Sequence, residues 1–230
     1  MSEYPFQVAI DGPAGAGKST VARLVAKQLS FTYVDTGAMY RAVTWTALQA
    51  GLIAEDANQI AALVQSMTMD IQPGVDGQRV FVNGVDVSGQ LRLKEVHEMV
   101  SPMSQIEPVR VQLIQWQRDL SETKPVVMDG RDIGTRVLPN ADVKIFLTAD
   151  LAERAKRRWL EMKDKYLDIT IEQLTEEIRI RDERDMSRST SPLICADDAI
   201  TIDTSGKTIE AVVSEIIMLC EAKLKERYKQ

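Results

Sequence analysis

Gly12, Pro13, Ala14, Gly15, Ala16, Gly17, Lys18 and Ser19 form a run too rich in glycine for helix or strand. An apolar strand, Phe6–Ile10, leads into it. Lys18–Leu29 follows with Val21, Leu24, Val25 and Leu29 on one helix face. Glycine lets several backbone N–H groups turn toward one point, and a helix N-terminus adds its positive end. The run matches G-x-x-x-x-G-K-[ST] at every fixed position, between the strand and the helix that the mechanism requires. It predicts a site for a nucleoside triphosphate such as ATP. The backbone of residues 12–17, with Thr20 beyond it, wraps the phosphates. Lys18 supplies a mobile cation for the β- and γ-phosphates, and Ser19 a hydroxyl for Mg²⁺.

Phe31–Val34 is a second β-like run, closed by Asp35, Thr36 and Gly37, and helices are expected over Ala38–Ala50 and Asp56–Met67. The pattern then changes to short strands at Thr68–Gln72, Arg79–Val82 and Val85–Val87. Asn83–Gly84 predicts a two-residue hairpin whose central positions both need positive φ. Helix returns from Val96 to Leu120, interrupted near Pro102 and Pro108. Pro125–Met128, Val143–Leu147 and Ala199–Ile202 are further apolar runs, and Ile209–Arg227 is a terminal helix. Strands alternating with helices predict an α/β fold of the P-loop NTPase type. Its five-stranded parallel sheet carries helices on both faces, a small antiparallel insert and a helical, arginine-rich lid. One unit is expected, with its core in 1–62, 89–150 and 192–230, the insert at about 63–88 and the lid at about 151–191.

The lid expectation rests on arginine spacing. Arg154, Arg157 and Arg158 stand at i, i+3, i+4, and Arg181, Arg184 and Arg188 at i, i+3, i+7, with a break over Lys163–Thr170. Charged faces are usually solvated and paired, here with Glu153, Glu161, Glu177 and Glu183. Beside a phosphate loop, forked guanidinium groups favour a cover that closes over phosphoryl oxygens. Ligands of open parallel sheets sit at the carboxyl ends of the strands. There stand Asp35, Thr36, Tyr40 and Arg41, and also Asp129, Arg131 and Asp132. Asp129 is placed to orient Mg²⁺, through water. Arg41 and Arg131 can hold a second anion opposite the loop. An acceptor that is itself a phosphate needs no general base. That agrees with a chain whose one histidine, His97, is read as structural and far from any motif.

Composition removes other classes. Lys and Arg total 28 against 34 Asp and Glu, a net charge of −6, which disfavours a nucleic acid partner. Cys195 and Cys220 make no disulfide framework, and one histidine no multi-histidine metal site. No apolar run approaches the roughly 20 residues that span a bilayer, and Met1–Phe6 lacks the features of a signal peptide. A cytoplasmic protein without a membrane partner is expected, with a monomer as the default. None of Asn58, Asn83 and Asn140 is followed by lysine, against a guanine reader. On these residues alone, a small-alcohol kinase of the shikimate type and a non-catalytic nucleotide-dependent binding protein stay open.

Four stretches, AIDGPAGAGKST at 9–20, YVDTGAMYR at 33–41, MDGRDIGT at 128–135 and RDERDMSR at 181–188, together resemble the bacterial cytidylate kinase family. The resemblance runs over nearly the whole chain, and the insert is similar to the extra small sheet of the long bacterial form. It implies transfer of the ATP γ-phosphoryl to CMP or dCMP with Mg²⁺. It implies that Thr36, Ser101, Arg110 and Asp132 hold the pyrimidine, and that Arg41, Arg131 and Arg188 clamp the acceptor phosphate. Arg181 and Asp185 would contact the ribose, and Arg157 would lie near the ATP phosphates. Lys18, Arg131, Arg188 and Arg157 would then be the catalytic set. Thr36 replaces the serine of many members, keeping the hydroxyl and adding a methyl.

Overall fold

The computed structural model describes residues 4–74, 77–163 and 169–228. In chain order the first elements are β1 (Gln7–Asp11), α1 (Lys18–Leu29), β2 (Thr32–Asp35), α2 (Thr36–Gln49) and α3 (Ala57–Ser66). Next come β3 (Met69–Gly74), β4 (Gly77–Val82), β5 (Val85–Asp86), α4 (Lys94–Met103), α5 (Glu107–Glu122) and β6 (Val126–Asp129). The chain ends with β7 (Val143–Thr148), α6 (Leu151–Met162), α7 (Ile171–Ser187), β8 (Ile200–Asp203) and α8 (Ile209–Tyr228). A short π-helical turn, Ile133–Val137, follows β6.

Five strands form a parallel sheet in the order β2-β6-β1-β7-β8. β1 lies at its centre. Side chains alternate across the sheet, so Ala9, Val126 and Met128 enter one core while Val8, Ile10 and Val127 enter the other. The first core is closed by α2, α3 and α5 and by Val80 and Val82 of β4. The second is closed by α1 and α8, through Val21, Val25, Val213 and Ile216. Burial on both faces is why these strands read as continuous apolar runs.

β3, β4 and β5 form the expected antiparallel sheet. Its Asn83–Gly84 turn has φ of 50° and 80°, the left-handed pair that a tight hairpin requires. Val75 and Asp76, between β3 and β4, lie outside the described residues. The expected interruption lies between the two prolines. Pro102 sits inside the last turn of α4, the break falls at 104–106, and Pro108 occupies the first turn of α5. A first-turn N–H has no helical partner, so proline costs little there.

α6 and α7 stand over the glycine loop, joined by a small cluster of Ala14, Ala155 and Ile178 with Leu151. Most of the expected break at Lys163–Thr170, residues 164–168, lies outside the described residues. Thr170 caps α7 in a reciprocal box with Gln173.

Register brings Asp11, Asp35 and Asp129 to one edge of the sheet. Ile10 and Asp35 both stand opposite Asp129 of β6, the strand between them, and Asp11 continues β1 by one residue. The loop at 12–17 springs from this edge.

Candidate active site

Gly12 leaves β1 at φ 145°, and a Cβ there would come within 2.0 Å of the Leu147 carbonyl oxygen. Only glycine permits so close a passage beneath β7. The loop then turns through Gly15 and Gly17, both at positive φ, into the N-terminus of α1. Lys18 is buried, and its Nζ donates to the Pro13 carbonyl at 2.7 Å. Burial and the charge of Arg131 hold its amine well below the usual lysine range, against the pull of Asp129 and Asp11. The negative charge of a phosphate bound there would offset both effects.

Helices α6 and α7 grip this loop through one residue, Ala14. Asp182 of α7 accepts from the Ala14 N–H at 3.0 Å. Arg154 of α6 donates to the Ala14 carbonyl at 2.8 Å and to Asp182 at 2.5 Å. Arg157 donates to the Thr204 hydroxyl at 2.9 Å and to its carbonyl at 2.7 Å. A Cβ on Gly17 would stand 3.9 Å from Nη1 of Arg157, which places that guanidinium beside the loop.

Ser19 and Asp129 meet, the hydroxyl donating to the carboxylate at 2.7 Å. Tyr33 donates to the other carboxylate oxygen at 2.9 Å. Burial, with the charge of Asp35, pushes Asp129 up to about 6. Among the described residues, no three His, Cys, Asp or Glu side chains are grouped to hold a metal unaided. A serine hydroxyl and one carboxylate at the phosphate loop fit Mg²⁺, which keeps water and takes further ligands from substrate phosphates.

A second cluster of buried polar side chains joins α5 and α7 to the segment after β6. Arg110, almost wholly buried, donates to Asp132 at 2.6 Å and to the Ser104 carbonyl at 3.1 Å. Its guanidinium carbon lies 5.5 Å from the centre of the Tyr40 ring. Arg131 donates to the buried Asp185 at 2.9 Å, and Arg188 lies 3.5 Å from the same carboxylate. Burial works against the charge of Asp185, but Arg131, Arg181 and Arg188 outweigh it and hold the acid below its usual range. Burial and the charge of Arg131 push Arg181 down to about 10. Arg41 pairs with Asp35 at 2.9 Å. Thr36 spends its proton on the Asp129 carbonyl at 2.6 Å, so its oxygen remains an acceptor.

Several buried polar atoms have no hydrogen-bond partner among the described residues: Ser101 Oγ, Arg110 Nε, Arg181 Nε, and Nε and Nη2 of Arg188, besides Gln90 Oε1, Gln117 Nε2 and Thr135 Oγ1. Leaving such groups unmade is costly, so a polar occupant is expected.

Several contributors were not visible as site residues in the sequence. Asp11 accepts from the Ile133 and Gly134 N–H groups at 2.9 and 2.7 Å, which anchors the turn after Asp132. Burial pushes it up to about 6 despite both donors. Tyr33 and Asp182 are likewise not announced, and Arg154, expected among the lid arginines, was not expected to hold Ala14. Their partners lie far away along the chain, and no local pattern announces them. His97, expected far from any motif, lies near the arginines in the fold. Arg158 Nη2 sits 3.3 Å from its Nε2. Burial and the charges of Arg158, Arg181 and Arg41 push it down to about 4. The pairing alternative for the lid holds in part, since Glu153 meets Arg157 and Glu161 meets Arg158, but Arg154 is not a solvated arginine.

The cytidylate kinase family model matches residues 8–222. A cytidylate kinase of Lysinibacillus sphaericus is 46% identical over 219 residues, covering 95% of this chain and 98% of the relative. One of Bacillus cereus is 49% identical over 214 residues, covering 93% and 95%. Among solved structures, a gluconokinase from Sinorhizobium meliloti has a TM-score of 0.50 at 13% identity, covering 99% of this chain and 98% of its own. That likeness is one of fold alone. Among the described residues, no helix is long and apolar enough to cross a membrane. With a family match over residues 8–222 and relatives nearly half identical over almost the whole chain, this chain belongs to the cytidylate kinase family.

Proposed function

We propose that the protein transfers the γ-phosphoryl group of ATP to CMP or dCMP, giving ADP and the corresponding diphosphate. The observation that carries this reading is the set of unpartnered buried atoms on Ser101, Arg110, Arg181 and Arg188, in a fold that also holds the glycine loop. The named relatives support the substrate, as cytidylate kinases.

The acceptor phosphate is already ionised, so one of its oxygens attacks the γ-phosphorus directly while the β–γ bridging bond breaks and ADP departs. No base is required, and catalysis is positioning plus charge neutralisation. In this reading the backbone at 12–17, with Lys18, Ser19 and Thr20, holds ATP, and Arg157 stands beside its phosphates. Arg41, Arg131 and Arg188 hold the acceptor phosphate, and Arg181 with Asp185 the ribose. Mg²⁺, when bound, screens the phosphoryl charge, and Ser19 with Asp129, through water, would hold it. Thr36 and Asp132 present acceptor oxygens to the cytosine amino group, while Arg110 and Ser101 donate to O2 and N3. Uracil carries a carbonyl where cytosine has that amino group, so it would face two acceptors there.

The unit divides as core 1–62, 89–150 and 192–230, insert about 63–88 and lid about 151–191. Free thiols at Cys195 and Cys220 suit the cytoplasm. A monomer acting on small nucleotides, with neither nucleic acid nor membrane, completes the proposal. A coupled ADP-release assay with CMP, dCMP, UMP, AMP and shikimate tests it. Turnover confined to CMP and dCMP is expected. Turnover with shikimate alone, or none with any acceptor, would overturn it.

A further inference from the structure

β2 is the outer strand of the parallel sheet, so the outward N–H and C=O of Asp35 have no strand beside them. The side chain of Gln78, at the start of β4, takes the place of one. Its Oε1 accepts from the Asp35 N–H at 2.8 Å and its Nε2 donates to the Asp35 carbonyl at 3.3 Å. A primary amide can satisfy both groups at once because it carries a donor and an acceptor side by side, as a peptide does. The Asp35 side chain is then held from two more directions. Oδ1 accepts from the Ala38 N–H at 2.8 Å, capping α2, and Oδ2 accepts from Arg41 at 2.9 Å. A continuous chain of hydrogen bonds therefore runs from the insert through Asp35 to Arg41. Gln78 and Gly77 also wall a cleft shared with Ser19, Thr20, Tyr33 and Asp35, so this part of the insert borders the site itself.

We infer that Gln78 is a positioning residue for the acceptor nucleotide: it fixes the Asp35 backbone, and through Asp35 the guanidinium of Arg41, so that the small sheet completes the phosphate clamp. This rests on the reading of Arg41 as part of that clamp. Gln78 itself need not touch substrate. The insert is then a working wall of the acceptor pocket as well as a packed appendage of α2 and α3.

A double-mutant cycle separates this role from simple docking of the insert. Gln78→Ala, Arg41→Ala and the double variant are assayed for KM with CMP and with ATP, and for kcat, alongside thermal unfolding. Loss of two hydrogen bonds in Gln78→Ala is expected to raise KM for CMP about five- to tenfold, with KM for ATP and kcat within about twofold. In the Arg41→Ala background the same change should add less than about twofold, because coupled residues are not additive. Equal effects in both backgrounds, or no effect on KM for CMP in the single variant, would overturn the inference while leaving the clamp intact. If Arg41→Ala alone leaves KM for CMP unchanged, the clamp reading itself falls and this inference falls with it.

Discussion

Arg110 and Asp132 face each other at 2.6 Å in the interior, and both are almost excluded from solvent. An ion pair so placed adds little stability compared with well-packed apolar residues, but breaking it leaves one charge buried and alone. Asp132→Ala is expected to cost about 3–5 kcal/mol in urea unfolding for that reason. Replacing both with apolar residues of similar volume should recover most of the loss without restoring affinity for CMP. If the double variant binds CMP like the parent in calorimetry, the pair does not read the base.

The bracket around Ala14 predicts a donor-side phenotype. Asp182→Ala removes the acceptor of the Ala14 N–H and the anionic partner of Arg154 together. KM for ATP is expected to rise about tenfold, the scale of one lost charge-assisted hydrogen bond, while KM for CMP changes little. Steady-state kinetics with each nucleotide varied in turn decides the matter, and equal rises for both would refute it.

Asp129 carries a pH prediction. Its acid is pushed up to about 6 in the unliganded fold, from an ordinary 3.8. The folded chain therefore holds a proton between about pH 4 and 6 that the unfolded chain has released, and stability from this group is lost as pH rises through 6. An asparagine at this position carries no such charge. Asp129→Asn should thus raise Tm at about pH 7.5 by about 2–4 °C, the equivalent of about 1 kcal/mol in a chain of this size. The gain should vanish near about pH 4, where the parent acid is itself neutral in the fold, while Mg²⁺-dependent turnover is lost at every pH. A variant less stable than the parent at neutral pH would contradict this account.

His97 offers a direct view of ligand charge. Its imidazole is pushed down to about 4 by burial, then by Arg158, Arg181 and Arg41. A phosphate bound among those arginines offsets their field, so the histidine pKa should climb toward its ordinary 6.5 when CMP binds. The chain has a single histidine, so one ring resonance followed by NMR titration, with and without CMP, gives the answer. An unchanged midpoint would place the phosphate elsewhere.

The strands and the glycine loop were legible because each is a local pattern. An apolar run buried on two faces, and an eight-residue motif between strand and helix, need no distant partner to be recognised. Asn83–Gly84 was legible for the same reason, since the turn dictates both residues. Of the proposed acceptor site, Arg41 and Arg131 were legible as strand-end anion holders, and the remaining residues only by resemblance. Nothing local to Ser101 says that its hydroxyl ends up buried without a partner, and nothing near Arg110 says that Asp132, across a helix and a strand, will meet it. Arg154 looked like its neighbours on a charged helix face, yet it turned inward, because the Ala14 carbonyl and Asp182 were there to receive it. The surroundings of His97 were not legible because its charged neighbours come from α2, α6 and α7, none adjacent to it in the chain.

The two bonds that hold Ala14 come from residues 168 and 140 positions further along the chain. The nucleotide cradle is thus not self-contained. A fragment ending before α6 keeps every letter of the glycine motif and loses the grip that shapes it. Grafting residues 12–19 onto another strand and helix would transplant the motif without its cast.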